Sequence, residues 1–186
     1  MKKLLTILAL ALGVSVNAQT GNTATGAVAL QDNTTGDYNI ATGTEALPSN
    51  TEGNHNIALG REALKANLTG SGNIGLGYKS GDTLTTGSNN VVIGYTADTS
   101  ANNATNQIVI GEGSIGHGND IVVFGNSNIT AWHPGDDNGV DLGSTSYSFK
   151  DAHIQGVIYG NFTVQEDEFT PLSKVSSIYS CVKPKL

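Results

Sequence analysis

NIALGREALKANLTGSG (56–72) is a unit of 17 residues that restarts itself: Asn56-Ile57-Ala58-Leu59-Gly60 returns as Asn73-Ile74-Gly75-Leu76-Gly77. Working outward, the same pentapeptide stands at NTATG (22–26), NIATG (39–43) and NVVIG (90–94), and QIVIG (107–111) is a sixth copy. Gly26, Gly43, Gly60, Gly77, Gly94 and Gly111 thus recur at one fixed interval of 17. A constant period of this size predicts an all-β solenoid of stacked 17-residue coils, in which each repeat contacts only its neighbours.

Within the period, Ala-Leu follows the first glycine at Ala29-Leu30, Ala46-Leu47 and Ala63-Leu64, and a second glycine column runs through Gly36, Gly53, Gly70 and Gly87. Each coil therefore reads as a strand, a glycine turn, a short second strand and an Asn/Gly-rich turn back. Two glycines per coil beside β-branched residues oppose a long helix. The Asn column (Asn22, Asn39, Asn56, Asn73, Asn90) suits either stacked side-chain amides or plain turn formers.

The strand residues are apolar on both faces. The second and fourth positions pair as Ile40/Thr42, Ile57/Leu59, Ile74/Leu76, Val91/Ile93 and Ile108/Ile110. The third position is always small or apolar: Ala24, Ala41, Ala58, Gly75, Val92, Val109. One face fills the coil and the other needs a cover, which association around a symmetry axis supplies. The expectation is a homotrimer, with the small third-position column at the axis.

Beyond the array, 126–164 reads as a β-rich junction and 165–186 as a tail. DIVVFG (120–125) repeats the strand motif after 14 residues, not 17. In the tail, Thr170 and Pro171 can start a short amphipathic helix carrying Leu172, Val175, Tyr179 and Val182, ended by Pro184. At the other end, Met1-Lys2-Lys3, the apolar run Leu4 to Val16 and Val16-Asn17-Ala18 read as a signal peptide over 1–18, leaving a head over 19–125. No other stretch reaches transmembrane length. A secreted or cell-surface protein is expected.

The chain carries 9 Lys+Arg against 16 Asp+Glu, a formal charge of −7. An acidic chain without basic runs offers nucleic acid no footprint. The lone Cys181 allows no intrachain disulfide.

No catalytic or cofactor site is expected. Asp136-Asp137-Asn138-Gly139-Val140-Asp141 has a composition calcium favours but not the spacing of a calcium loop. His55, His117, His133 and His153 are scattered without a metal-ligand pair. Glu45, Glu52, Glu62 and Asp82 are the carboxylates a glycosidase would need, at non-equivalent turn positions. Sequons such as those at Asn33, Asn67 and Asn161 follow from an Asn/Thr-rich composition, and Trp132 reads as an anchor where substructures meet.

The repeat at 56–72 and its neighbours, over roughly 22–125, resemble the head repeats of trimeric autotransporter adhesins, the Hep/Hag and YadA-like class. The resemblance rests on the phased Asn-x-Ala-x-Gly and Ala-Leu columns. It implies a left-handed parallel β-roll, three chains side by side, and an extracellular binding head. DLGSTSYSFKDAHIQGVIYG (141–160) resembles a segment of phage tail fibres. The expected function is attachment to a surface, glycan or matrix ligand without catalysis. A tail-fibre or tail-spike-like receptor-binding protein is the alternative, and a polysaccharide-degrading β-helix enzyme comes third.

Overall fold

The computed structural model describes residues 14–15 and 20–131. Chain contacts divide the protein into Met1–His133 and Pro134–Leu186. The tail-fibre-like segment, the C-terminal helix, Trp132, the Asp136–Asp141 cluster, His133, His153, Asn161 and Cys181 lie outside the described residues.

The described chain is a parallel β-solenoid of about six coils. Seven three-residue strands form one ladder: β2 (Thr23–Thr25), β3 (Ile40–Thr42), β4 (Ile57–Leu59), β5 (Ile74–Leu76), β6 (Val91–Ile93), β7 (Ile108–Ile110) and β8 (Val122–Phe124). A two-residue strand β1 (Val14–Ser15), inside the segment read as a leader, pairs antiparallel with β2. Register follows the sequence period, with Ala41 opposite Ala58 and Ala58 opposite Gly75. Between β7 and β8 the step shortens, Ile108 facing Val122. No helix occurs among the described residues.

The glycine column is required by geometry. Gly60 has φ +136°, and a Cβ there would sit 2.7 Å from the Gly77 carbonyl carbon of the next coil. Coils touch backbone to backbone at this corner, so only glycine fits.

The expected second strand is not a strand. After the glycine turn the backbone alternates into the left-handed region at Val28, Leu30, Glu45, Leu47, Glu62 and Leu64, with φ between 50° and 64°. Its ladder bonds still run between coils, as in Leu30 N–H to the Ala46 carbonyl (3.1 Å) and Leu47 N–H to the Ala63 carbonyl (2.9 Å). Repeated left-handed residues curl this segment instead of extending it. That curl swings Ala29, Leu30 and their equivalents inward, where they are fully buried.

The core is a thin column, and it corrects the assignment of faces. Ala24, Ala41 and Ala58 are buried within their own chain in one cluster with Leu30, Leu47 and Leu64, and Val92 and Val109 are buried as well. A residue with no exposure in one chain cannot line an axis between chains, so the third-position column belongs to the coil interior. Size explains it: a 17-residue coil is too narrow for a large side chain on both walls. The core volume is conserved by compensation. At Gly75 and Gly81 a Cβ would meet the Leu64 side chain at 2.8 and 2.9 Å, so Leu64 fills the space those glycines leave. Where the leucine column reaches Asp98, the strand supplies Val92 instead of alanine.

Candidate interaction surface

With the small column inside, the large column faces out. Leu59 (45% exposed), Leu76 (39%) and Phe124 (54%) stand on the outer face of the sheet with Ile40, Ile57 and Val122. Three residues per strand at about 3.3 Å, and seven strands at about 4.8 Å, make a strip about 10 Å wide and about 29 Å tall. Its chemistry is graded. The first strand offers Thr23 and Thr25, the second Ile40 and Thr42, and every later one Ile, Leu, Val or Phe at both positions. Contiguous exposed apolar surface of this kind marks an interaction site.

A row of asparagines holds the coils in register. The Asn56 Nδ2 donates to the Gly70 carbonyl of its own coil (2.8 Å), and its Oδ1 accepts the Asn73 N–H of the next (2.9 Å). Asn22, Asn39, Asn73 and Asn90 repeat the pattern, with Nδ2 bonds to Gly36, Gly53, Gly87 and Ala104. Each amide is thus a staple that closes one coil and clasps the next. Asn39, Asn56, Asn73 and Asn90 are fully buried and satisfied on both sides. The row ends at Gln107, whose N–H still binds Asn90 (3.0 Å) but whose own amide turns to Ser100. Asn33, Asn50 and Asn67 form a second row, each Nδ2 donating to the glycine carbonyl three residues on. The sequon asparagines Asn33 and Asn67 are therefore buried structural groups, whereas Asn103 and Asn128, which also head Asn-x-Thr sequons, are exposed.

The corner after the strand carries charge and aromatics. Glu62, its side chain only 7% exposed, meets Arg61 (2.8 Å), Lys65 (3.3 Å) and Lys79 (3.6 Å), while Lys65 also bonds Glu45 (2.6 Å). Burial pushes the Glu62 carboxyl upward. The Lys65 hydrogen bond and the charges of Lys65, Lys79 and Arg61 outweigh it and hold the group below its ordinary range. Lys65 is raised by its hydrogen bonds to Glu45 and Glu62. Tyr78 stacks on Tyr95 with centroids 5.1 Å apart, and Arg61 and Lys79 lie 5.6 and 5.7 Å from the Tyr78 ring. On another edge Tyr38 stacks on His55 at 5.2 Å.

Glu45 and Glu62, expected at non-equivalent turns, stand one period of 17 apart in a single column and are both bonded by Lys65, whereas Glu52 and Asp82 have no described ion pair with that lysine. A carboxyl held ionised by three cations is a poor proton donor, which is what glycoside cleavage asks of one of its pair. Burial, and to a lesser extent the negative charge of Asp82, push the Asp98 carboxyl up against hydrogen bonds from the Thr83 hydroxyl (2.7 Å) and the Thr99 N–H (2.8 Å). Among the described residues no group of three or more His, Cys, Asp or Glu is placed to hold a metal ion, and no helix is long and apolar enough to cross a membrane.

The sequence reasoning missed the charged and aromatic corner. Its signal was the period itself: Arg61, Tyr78 and Tyr95 are successive members of one column, as are Glu45, Glu62 and Lys79. No family model, curated protein or solved structure matches this chain.

Proposed function

We propose that this chain is an exported, non-catalytic binding head that works as a homotrimer of left-handed β-rolls. The observation that carries the reading is the apolar strip on the outer face of the sheet, from Ile40 to Phe124. Such a face is costly in water and is covered when copies meet around an axis. The threefold order and the hand of the coil come from the resemblance to adhesin heads, and export from the leader-like residues 1–18. Three copies present three identical sets of lateral surfaces to a surface, glycan or matrix ligand, so weak contacts add by avidity.

The decisive experiment is the solution mass of the mature chain. Light scattering is expected to give three times the monomer mass. Leu59→Lys with Leu76→Lys places positive charge in the strip and is expected to yield monomers that retain β-sheet circular dichroism. A folded wild-type monomer at micromolar concentration refutes the trimer.

A further inference from the structure

The corner built on Arg61, Lys65, Lys79, Tyr78 and Tyr95 has no part in the strip, and we propose that it binds an acidic polysaccharide, carboxylated or sulfated. This deepens the binding-head reading and rests on it for the ligand class.

The first ground is the distribution of charge. Across residues 20–131 the chain has nine carboxylates and three cations, and all three cations, Arg61, Lys65 and Lys79, meet at this one corner. On an acidic rod it is the single described place where an anion gains energy by approaching.

The second ground is the internal comparison that a repeat provides. Coils elsewhere carry the same backbone at this corner with Ala27-Val28, Tyr95-Thr96 and Glu112-Gly113, and they stack through the same ladder bonds. Stacking therefore does not require the ion cluster.

The third ground is how the cluster is made. Glu62 is buried and collects three cations, and Glu45 engages Lys65 as well. Two carboxylates against three cations leave one positive charge over. Arg61 keeps a side chain 62% exposed and Lys79 one 37% exposed, so the surplus faces solvent. Buried Glu62 acts as an organiser: it holds the cations in place at lower entropic cost to an incoming ligand. A guanidinium offers a planar fork that matches a carboxylate or sulfate, and an ammonium offers a point charge. Beside them the stacked Tyr78 and Tyr95, the latter 57% exposed, present apolar ring surface to the C–H face of a sugar and hydroxyls to its polar groups. From Arg61 to Tyr95 the corner spans three coils, about 10 Å. A single corner with one net charge binds weakly. A polymer with anions at intervals can engage several corners of an assembly at once, which selects a polysaccharide over a free acidic sugar.

The test uses the full mature chain on immobilised heparin, polygalacturonate and dextran, with solution mass and melting temperature recorded for every variant. Wild type is expected to be retained on heparin or polygalacturonate, to be released by added salt, and to pass dextran freely. Retention on heparin alone assigns sulfate as the anion, and retention on polygalacturonate assigns carboxylate. Arg61→Gln with Lys79→Gln is expected to weaken binding about tenfold or more. Tyr95→Ala is expected to weaken it too, while Asp32→Asn, the same size of change in net charge as one lost cation, leaves it intact. Failure of wild type on both acidic polymers overturns the proposal, as does equal retention on dextran or undiminished binding by the double variant. A monomer that binds and loses binding in the double variant refutes the trimer alone. A trimer that passes every column refutes the corner alone.

Discussion

Asn56→Ala removes one staple from the middle of the array, and its cost can be worked out from the bonds it breaks. The Asn73 N–H loses its partner at 2.9 Å and has no water to replace it, because Asn73 is fully buried. An orphaned buried donor costs about 1–3 kcal/mol. The bond from Asn56 Nδ2 to the Gly70 carbonyl is lost as well, at about 1 kcal/mol. That carbonyl keeps a second donor, Asn67 Nδ2 at 3.0 Å, so no further orphan is made. The expected loss is about 3 kcal/mol, a large share of a normal folding free energy. Asn54→Ala is the control. It removes bonds to the Asp37 N–H and the Glu52 carbonyl, but at a half-buried edge open to water on one side, and about 1 kcal/mol is expected. Asn56→Asp sharpens the test. A protonated carboxyl can still donate one bond and accept one, the two this amide makes, whereas the carboxylate lacks the donor and is buried as an ion. Burial raises its folded-state pKa, so the defect is present at neutral pH and is relieved as pH falls through that value. Urea unfolding followed by circular dichroism, at one protein concentration, reads all three variants. If Asn56→Ala costs no more than Asn54→Ala, the asparagine row is a set of turn formers and the staple account is wrong.

Gly60→Ala should lower stability by about 3 kcal/mol or more, because a left-handed φ and a backbone clash with Gly77 coincide there; Lys65→Ala, at a half-exposed ion pair, should barely move the same melts. Asp98→Asn should raise the melting temperature at neutral pH. The raised folded-state pKa of Asp98 means its ionised form costs stability above that pKa, and the advantage of the variant should vanish once pH falls below the ordinary value of 3.8.

The parts of this fold that were legible in the sequence are those imposed by backbone contact. A glycine at one interval, and an asparagine four residues before it, recur because a Cβ or a missing amide is felt at once by the next coil. The faces of the strand were harder to read. Both Ala58 and Leu59 are apolar, so alternation gave no sign of which points inward; the difference is volume, and only the width of a 17-residue coil makes volume decisive. The curled segment was misread because leucine at φ +50° has no mark in local propensity. Leu30, Leu47 and Leu64 adopt that backbone because the ladder and the core over-determine it. The charged corner was hidden for another reason. Glu62 and Lys79 look like scattered surface residues until the chain is folded at its own period, when they become neighbours.

An array of interchangeable units has no natural length, since any coil can accept another on top of it. The staples make that addition directional, because each asparagine finishes its own loop and leaves an acceptor for the loop that follows. Gln107 is where counting stops: it takes the last clasp from Asn90, spends its own amide on Ser100, and the next step along the chain drops from 17 residues to 14. Duplication of an internal coil such as 56–72 would extend the roll by about 4.8 Å without rewriting either end, so the family of lengths open to this architecture grows by whole turns and by nothing smaller.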